Sequence, residues 1–258
     1  MILSIDLGTS LTKVGLWSQD RLVALGRSRL ETIHGADGQA EQDASRWWAS
    51  VQEATRQAFS VLSTDGGGTE VEAIGFSTAR QTFVPVDRHC RPLGNALLWN
   101  DRRAAAEAAI LIEALGGQAA LRQRTGIYYD AGSVAAKMAW LACNDPARLK
   151  SASWLVGPRD LVAFELTGEV VSDVTVASAS GLYDSTGVPL ADVLQAAMSM
   201  DGGPASGLAS PRRDPAALLP RPVGSDCIVG WLLADAAAQL GLAAGIPVIA
   251  GAGDRQCE

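Results

Sequence analysis

Apolar residues at the start of the chain alternate with polar residues as they do in β-strands. Residues 2–7 and 12–17 are two β-rich runs that flank the triplet Gly8-Thr9-Ser10, and a third run covers 21–30 after the turn Gln19-Asp20. Short runs of this kind, joined by turn residues, are typical of an antiparallel meander. The sequence therefore predicts three consecutive strands, with Gly8-Thr9-Ser10 in the first turn.

The next segment has helical spacing. Between residues 43 and 62, apolar side chains recur at 47, 51, 54, 58 and 61, which are steps of three and four. This spacing places them on one face of a helix. Asp43 suits the N-cap of that helix, and the glycine-rich loop 65–68 suits its end.

Helices and strands alternate along the rest of the chain. The patterns predict strands at 71–77 and 83–86, helices at 104–115 and 134–143, and a strand, turn and helix across 155–166. The segment 184–222 reads as loop with one helix near 190–200, and residues 204–210 have almost no periodicity. A strand at 228–232, a helix at 233–240 and a strand at 247–250 follow. The prediction is an α/β domain with a mixed five-stranded sheet flanked by helices.

Composition narrows the class of protein. The 258 residues include 28 acidic and 21 basic side chains, a net charge of −7, and 48% are hydrophobic. An acidic chain has no broad electrostatic attraction for nucleic acid or anionic membranes, and we expect neither as a partner. The length fits one large or two small domains with a substantial core.

The sequence also bears on location. Four widely separated cysteines form no C-x-x-C pair, which predicts free thiols in a reducing cytoplasm, and the N-terminus lacks the pattern of a signal peptide. Residues 236–253 carry no charge over 18 positions, but glycine and proline interrupt them, so we predict a helix, a turn and a buried strand. Lysine is rare, because only Lys13, Lys137 and Lys150 occur.

The first candidate site lies in the turn between the first two strands. Gly8, Thr9 and Ser10 can present backbone N–H groups and hydroxyls to a phosphate, with Lys13 close by in the second strand. Asp6, at the carboxyl end of the first strand, could hold hydrated Mg²⁺, which prefers carboxylates and water. An ordinary hairpin with a solvated aspartate explains the same six residues, so this motif alone decides nothing.

A second candidate ends the chain, at Gly251-Ala252-Gly253-Asp254. A buried strand that ends in small residues and an aspartate presents a carboxylate at the sheet edge where open α/β sheets bind ligands. A simple Gly-Asp turn is the alternative.

The third candidate combines Arg80 and Gln81 after one strand with Trp99 about twenty residues later, a set that suits the hydroxyls and C–H faces of a polyol. Each of these residues singly has an ordinary structural explanation.

Taken in order, these motifs resemble the FGGY family of carbohydrate kinases, which includes xylulokinases and glycerol kinases. The motifs are Asp6-Leu7-Gly8-Thr9-Ser10, Ala73-Ile74-Gly75, Leu98-Trp99-Asn100-Asp101-x-Arg103, Ser172-Asp173 and Ala250-Gly251-Ala252-Gly253-Asp254. The resemblance covers the whole chain. It implies an actin-like, ribonuclease-H-like fold, ATP as cosubstrate, Mg²⁺ as the metal, and phosphorylation of a hydroxyl of a small sugar or polyol.

The resemblance also implies roles for individual residues. Asp254 matches the catalytic base and Asp6 the catalytic aspartate near the metal. Gly8, Thr9, Ser10 and Lys13 match contacts to the nucleotide phosphates, and Arg80, Gln81, Trp99 and Arg255 match contacts to the substrate.

Substrate residues depart from both relatives. Arg80-Gln81 resembles the Arg-Glu pair of glycerol kinases, whereas xylulokinases typically carry Met-His there. Gly132 stands where glycerol kinases have a substrate tyrosine, and Arg255 stands where they have glutamine. Since a missing tyrosine would open the pocket, we expect a polyol or ketose larger than glycerol, with xylulose the first candidate.

The resemblance assigns residues 1–258 to the N-terminal, sugar-binding domain. A C-terminal ATP-binding domain of the same enzyme would be its partner, so we expect the chain to be inactive alone; a homodimer also stays open. One alternative is a non-catalytic actin-like sugar-binding or regulatory module, which a drifted Arg80-Gln81 pair and Arg255 would suit. Another, a chaperone-type ATPase of the same fold, is disfavoured by Trp99 and the Arg80-Gln81 pair.

Overall fold

A computed structural model describes residues 1–62, 70–200 and 214–257. Those residues form fourteen strands: β1 (Ile2–Leu7), β2 (Leu11–Ser18), β3 (Arg21–Arg29), β4 (Ile33–His34), β5 (Ala40–Gln42), β6 (Ala73–Thr78), β7 (Val84–Val86), β8 (Ala96–Leu97), β9 (Trp154–Val156), β10 (Val171–Asp173), β11 (Arg221–Val223), β12 (Ile228–Trp231), β13 (Pro247–Ile249) and β14 (Ala252–Gly253). They also form ten α-helices: α1 (Ser45–Leu62), α2 (Ala105–Ala114), α3 (Gln118–Thr125), α4 (Val134–Asn144), α5 (Pro146–Ser151), α6 (Pro158–Thr167), α7 (Val174–Ala179), α8 (Ala191–Met198), α9 (Ala234–Leu240) and α10 (Asp254–Cys257). The predicted loops at 65–68 and 204–210 lie outside the described residues.

The first three strands form the predicted antiparallel meander. β1 pairs with β2, and β2 pairs with β3, both antiparallel. Alternate side chains of β1, namely Leu3, Ile5 and Leu7, are buried in the core, as a half-buried strand requires. The same register sets Asp6 directly opposite Lys13.

The main sheet contains seven strands among the described residues. Its order is β12-β13-β6-β1-β2-β3, and β14 also pairs with β6. β6 is parallel to β1, β13 and β14, so the mixed sheet is confirmed. The predicted count of five strands is wrong. β14 has only two residues, so it carries no alternating pattern that the sequence could show.

Helices α1 and α6 pack against this sheet and α9 packs on both helices, and together they build the largest of three hydrophobic clusters among the described residues. The Asp43 carboxylate accepts the amide N–H of Ser45 at 3.0 Å, which agrees with the predicted N-cap. α1 lies against β3 at Gly26. A Cβ on Gly26 would stand 1.8 Å from the carbonyl oxygen of Ala54, so only glycine permits this close packing.

A second core lies around α4, which buries eight of its eleven residues. α2, α5 and α8 pack on α4, and the short β7–β9 ladder lies beside it. The predicted helices at 104–115 and 134–143 are confirmed, as is the strand, turn and helix across 155–166.

The uncharged segment 236–253 forms the end of α9, a turn and β13, as predicted. None of the described helices has the length and apolar character needed to cross a bilayer. The described residues also contain no disulfide.

Candidate functional site

The three elements that carry the candidate site end side by side. In the sheet, Leu7 of β1 and Gly253 of β14 both pair with Thr78 of β6. The residues that follow these strands therefore leave the same edge, which is where α/β sheets bind ligands. Because β6 lies between β1 and β14, their ends are separated by two strand spacings, about 9–10 Å.

An ion pair occupies the β1 side of this edge. Lys13 Nζ lies 2.9 Å from Asp6 Oδ2, and both side chains are partly exposed. Asp6 Oδ1 has no partner among the described residues. One accessible carboxylate with room for water is a donor set that fits Mg²⁺, which is usually held by one or two carboxylates together with water and substrate phosphates. No cluster of three metal-ligating side chains occurs in the described ranges.

The turn after β1 has a defined geometry. Gly8 donates its amide N–H to the Leu11 carbonyl at 3.1 Å, so this donor closes the turn and does not face a ligand. Within the part of the chain that the structure describes, the amide N–H groups of Thr9 and Ser10 have no acceptor. Thr9 Oγ1 accepts a hydrogen bond from Trp99 Nε1 at 2.8 Å. The turn thus keeps two backbone donors for an anion and is tied to the indole of Trp99.

Asp254 begins α10 directly after β14, with its side chain about half exposed. Its Oδ1 accepts the amide N–H of Arg255 at 2.8 Å and lies 3.5 Å from Arg80 Nε. Asp254 Oδ2 has no partner among the described residues, so it can accept a proton from a ligand. Arg80 reaches this carboxylate across Gly253, where a Cβ would stand 2.4 Å from Arg80 Cδ. The structure thus brings Arg80 and Asp254 together.

Gln81 and Trp99 contribute different groups to the candidate site. Gln81 contributes an amide and Trp99 an exposed ring. Gln81 has a left-handed backbone, with φ of 58°, and its Nε2 donates to the Ala179 carbonyl at 3.1 Å. Its Oε1 and the second N–H of Nε2 have no partner among the described residues. The Trp99 side chain is 44% exposed and offers an apolar face of the kind that packs on sugar C–H groups. Arg255 is exposed on α10, next to Asp254.

The residues after Trp99 hold the local structure together. Arg103 pairs with the fully buried Asp101 at 2.7 Å and with Glu41 at 2.7 Å. Asp101 also accepts the Ala40 amide N–H at 2.9 Å. This network fixes the Trp99 segment to β5, so Asp101 and Arg103 act inside the fold and not toward a ligand.

Gly132 does not open a pocket in the way that the sequence suggests. A Cβ there would stand 2.6 Å from the Trp99 carbonyl oxygen and 2.7 Å from Arg102 Nη1. Arg102 Nη1 in turn pairs with Asp130 Oδ2 at 2.8 Å. The Arg102–Asp130 pair therefore occupies the space that a side chain at 132 would enter. Glycine here permits a close backbone approach.

Sequence reasoning missed Lys137, which joins the two loops of the candidate sugar site. Its Nζ donates to the carbonyls of Gln81 at 2.6 Å and Leu98 at 2.8 Å. The side chain is fully buried in α4, and burial lowers its pKa to about 7. Because lysine is scarce in this chain, Lys137 could have been singled out from the sequence. Its role could not, because its hydrogen-bond partners are backbone carbonyls that no motif reveals.

Known proteins resemble the chain in sequence. The profile of the FGGY family of carbohydrate kinases, N-terminal domain, matches residues 1–258. The chain is 32% identical over 188 residues to a xylulose kinase of Haemophilus influenzae, covering 71% of this chain and 38% of that protein. It is 32% identical over 191 residues to a glycerol kinase of Rhodospirillum centenum, covering 71% of this chain and 37% of that protein.

A solved structure agrees with these sequence relatives. The xylulose kinase from Rhodospirillum rubrum matches with a TM-score of 0.85 at 25% identity, covering 98% of this chain and 49% of that one. The chain thus spans about half the length, or less, of the relatives that it matches. The expected actin-like fold is confirmed, because the structural neighbours are kinases with that fold. The chain belongs to the FGGY family of carbohydrate kinases, whose N-terminal domain it represents.

Proposed function

We propose that this chain is the sugar-binding domain of a kinase that transfers the γ-phosphoryl group of ATP to a hydroxyl of a small sugar or polyol, with xylulose the first candidate. One observation carries the proposal. The half-exposed carboxylate of Asp254 and the donor-rich turn after Asp6 leave the same sheet edge, two strand spacings apart. A sugar hydroxyl beside the carboxylate can then face a phosphate held at the turn.

The chain's own groups suit the steps of phosphoryl transfer. The N–H groups of Thr9 and Ser10, with Lys13, would hold phosphate oxygens. Bound at Asp6, Mg²⁺ would neutralise phosphate charge during transfer. Asp254 would accept the proton of the attacking hydroxyl through its unpaired Oδ2, a step within the reach of a positioned carboxylate. Most of the catalysis is then positioning and charge neutralisation, because phosphoryl transfer demands little covalent work from the protein.

Substrate contacts are proposed on both sides of the sugar. Trp99 supplies an exposed ring for C–H groups, and Arg80 lies at the reacting carboxylate, where its guanidinium can donate to a hydroxyl. Gln81 can use Oε1 and Arg255 its exposed side chain. The relatives named xylulose kinase and glycerol kinase support a ketose or polyol.

A second domain is part of the proposal. The relatives are about twice as long as the matched region or longer. We infer that the adenosine site lies in a C-terminal domain that closes on this one and excludes water from the cleft.

The test is sugar-dependent release of ADP by the complete protein that carries this chain. Magnesium-ATP is supplied with D-xylulose, other pentuloses or glycerol in turn. We expect turnover with at least one ketose, loss of about 10²–10⁴-fold in kcat for Asp254→Asn, and unchanged turnover for the matched control Asp235→Asn on the exposed start of α9. Sugar binding by calorimetry without turnover would favour the non-catalytic binding module, and full activity of Asp254→Asn would overturn the role given to Asp254.

A further inference from the structure

We propose that Asp173 and Thr175 position the carboxylate of Asp254, through a hydrogen-bond chain that ends on the backbone of Gly253. The inference rests on the proposed function, because it assigns positioning residues to the base of that reaction. It gives a role to the Ser172-Asp173 motif, which no step of the proposed mechanism uses.

In this series of hydrogen bonds, the donor and the acceptor of each bond are determined. Asp173 is fully buried at the N-terminus of α7, and its Oδ1 accepts both the amide N–H of Thr175 at 2.7 Å and the Thr175 hydroxyl at 2.5 Å. A hydroxyl has one proton, so the oxygen of Thr175 keeps only lone pairs for its other neighbour. That neighbour is the amide N–H of Gly253, which donates to Thr175 Oγ1 at 2.8 Å.

Because Gly253 has no side chain, a neighbouring residue can hold it only through its backbone groups. Gly253 is the last residue of the two-residue strand β14 and directly precedes Asp254. A side chain at 253 would displace Arg80, because a Cβ would stand 2.4 Å from Arg80 Cδ and 2.7 Å from Arg80 Cγ. The amide held by Thr175 therefore sets where β14 ends and α10 begins, and with it the direction of the Asp254 side chain.

A buried arginine ties the other end of this hydrogen-bond chain to the core. Arg159 is fully buried in α6 and donates to the Val171 carbonyl of β10 at 2.8 Å and to the Ala250 carbonyl at 3.4 Å. β10 and the segment that leads to Asp254 are thus linked twice, by Arg159 and by Thr175. Asp173 Oδ2 is buried and has no hydrogen-bond partner among the described residues.

The effect expected is on the rate of the chemical step. A shift of about 1 Å at a reacting group can cost about 100-fold in rate, whereas binding contacts made elsewhere are kept. Thr175→Val keeps the shape of the side chain and removes the acceptor, and Thr175→Ser keeps the acceptor. We expect Thr175→Val to lower kcat about 10–100-fold, with KM for sugar and for ATP changed less than about 3-fold, and Thr175→Ser to restore kcat.

The experiment measures kcat and both KM values in the complete protein for wild type, Thr175→Val and Thr175→Ser, and for Asp254→Asn with and without Thr175→Val. If Thr175 acts through Asp254, the valine adds no loss in the Asp254→Asn background. Thr175→Ala is the second variant if Thr175→Val fails to fold, and the same loss of kcat is expected of it.

The outcomes separate the two proposals. A wild-type protein without turnover on any sugar rejects the proposed function itself. An active wild type in which the valine and alanine variants keep wild-type kcat, or in which the valine and Asp254→Asn losses multiply independently, overturns the positioning role of Thr175.

Discussion

Replacing Lys137 by methionine should remove a pH-dependent part of the free energy of unfolding. The amine is fully buried, and burial lowers its pKa from the ordinary 10.5 to about 7. Nearby Asp101 and Asp130 oppose this change, whereas Arg102 and Arg103 add to it. A neutral amine still donates to the carbonyls of Gln81 and Leu98, so the link between the two loops survives deprotonation.

The sign and size follow from proton binding. Between pH 7 and 10.5 the unfolded chain holds the Lys137 proton and the folded chain has released it, so the free energy of unfolding rises with pH. The slope is at most about 1.4 kcal/mol per pH unit. Above pH about 9, other groups oppose this rise in the free energy of unfolding. Burial raises the pKa of Cys90 to about 12 and also raises the pKa of Tyr129 and Tyr183, so the folded chain keeps these protons after the unfolded chain has lost them. From pH 7 to 9 the expected gain is therefore about 2–3 kcal/mol.

Urea unfolding followed by tryptophan fluorescence at three pH values across that window measures this gain. Lys150→Met, which replaces an exposed lysine on α5, is the matched control. Wild type and Lys150→Met should gain about 2–3 kcal/mol, and Lys137→Met should stay nearly flat. An equal rise in Lys137→Met would refute the assignment of this pH dependence to Lys137.

Three further substitutions test the site and its support. Trp99→Phe keeps an aromatic ring but loses the bond to Thr9, and we expect sugar binding in calorimetry to weaken about 2–10-fold. Arg103→Met leaves two acidic partners unpaired, one of them fully buried, and should lower the free energy of unfolding in urea by about 3–5 kcal/mol; a loss below about 1 kcal/mol would contradict the buried network. Gly132→Ala should destabilise the chain by about 1–3 kcal/mol because its Cβ meets a carbonyl oxygen, whereas Gly75→Ala, where a Cβ meets nothing within 4 Å, should avoid that clash.

Much of the fold could be predicted because its longer elements repeat a clear pattern. The meander, α1, α4 and the final helix and strand each carry alternating or helical spacing over enough residues to be seen. The strand count could not be predicted, since β14 has two residues and pairs only through its backbone. A strand this short is recognised only from its pairing with a strand that lies far from it in the sequence.

Part of the candidate site could likewise be predicted from the sequence and part could not. Asp6 lies in β1 and Arg80 follows β6, two strands that sequence reasoning located, so their meeting at one edge follows from the parallel pairing of these strands. Asp254 follows β14, which sequence reasoning did not locate. The partners of Lys137 and Thr175 are carbonyl and amide groups, and every residue type carries these. Packing alone selects them: Lys137 reaches Gln81 across 56 positions, and Thr175 reaches Gly253 across 78.

The central claim is that Asp254 takes the proton from the sugar hydroxyl that receives the phosphate. It is tested most directly by the distance between that hydroxyl and the Asp254 carboxylate, in a crystal structure of the complete protein with xylulose and a non-hydrolysable ATP analogue. We expect a sugar hydroxyl about 2.6–3.2 Å from Asp254 and facing the γ-phosphate. A bound sugar whose hydroxyls nearest the γ-phosphate lie out of reach of Asp254, even through one water, would contradict the claim.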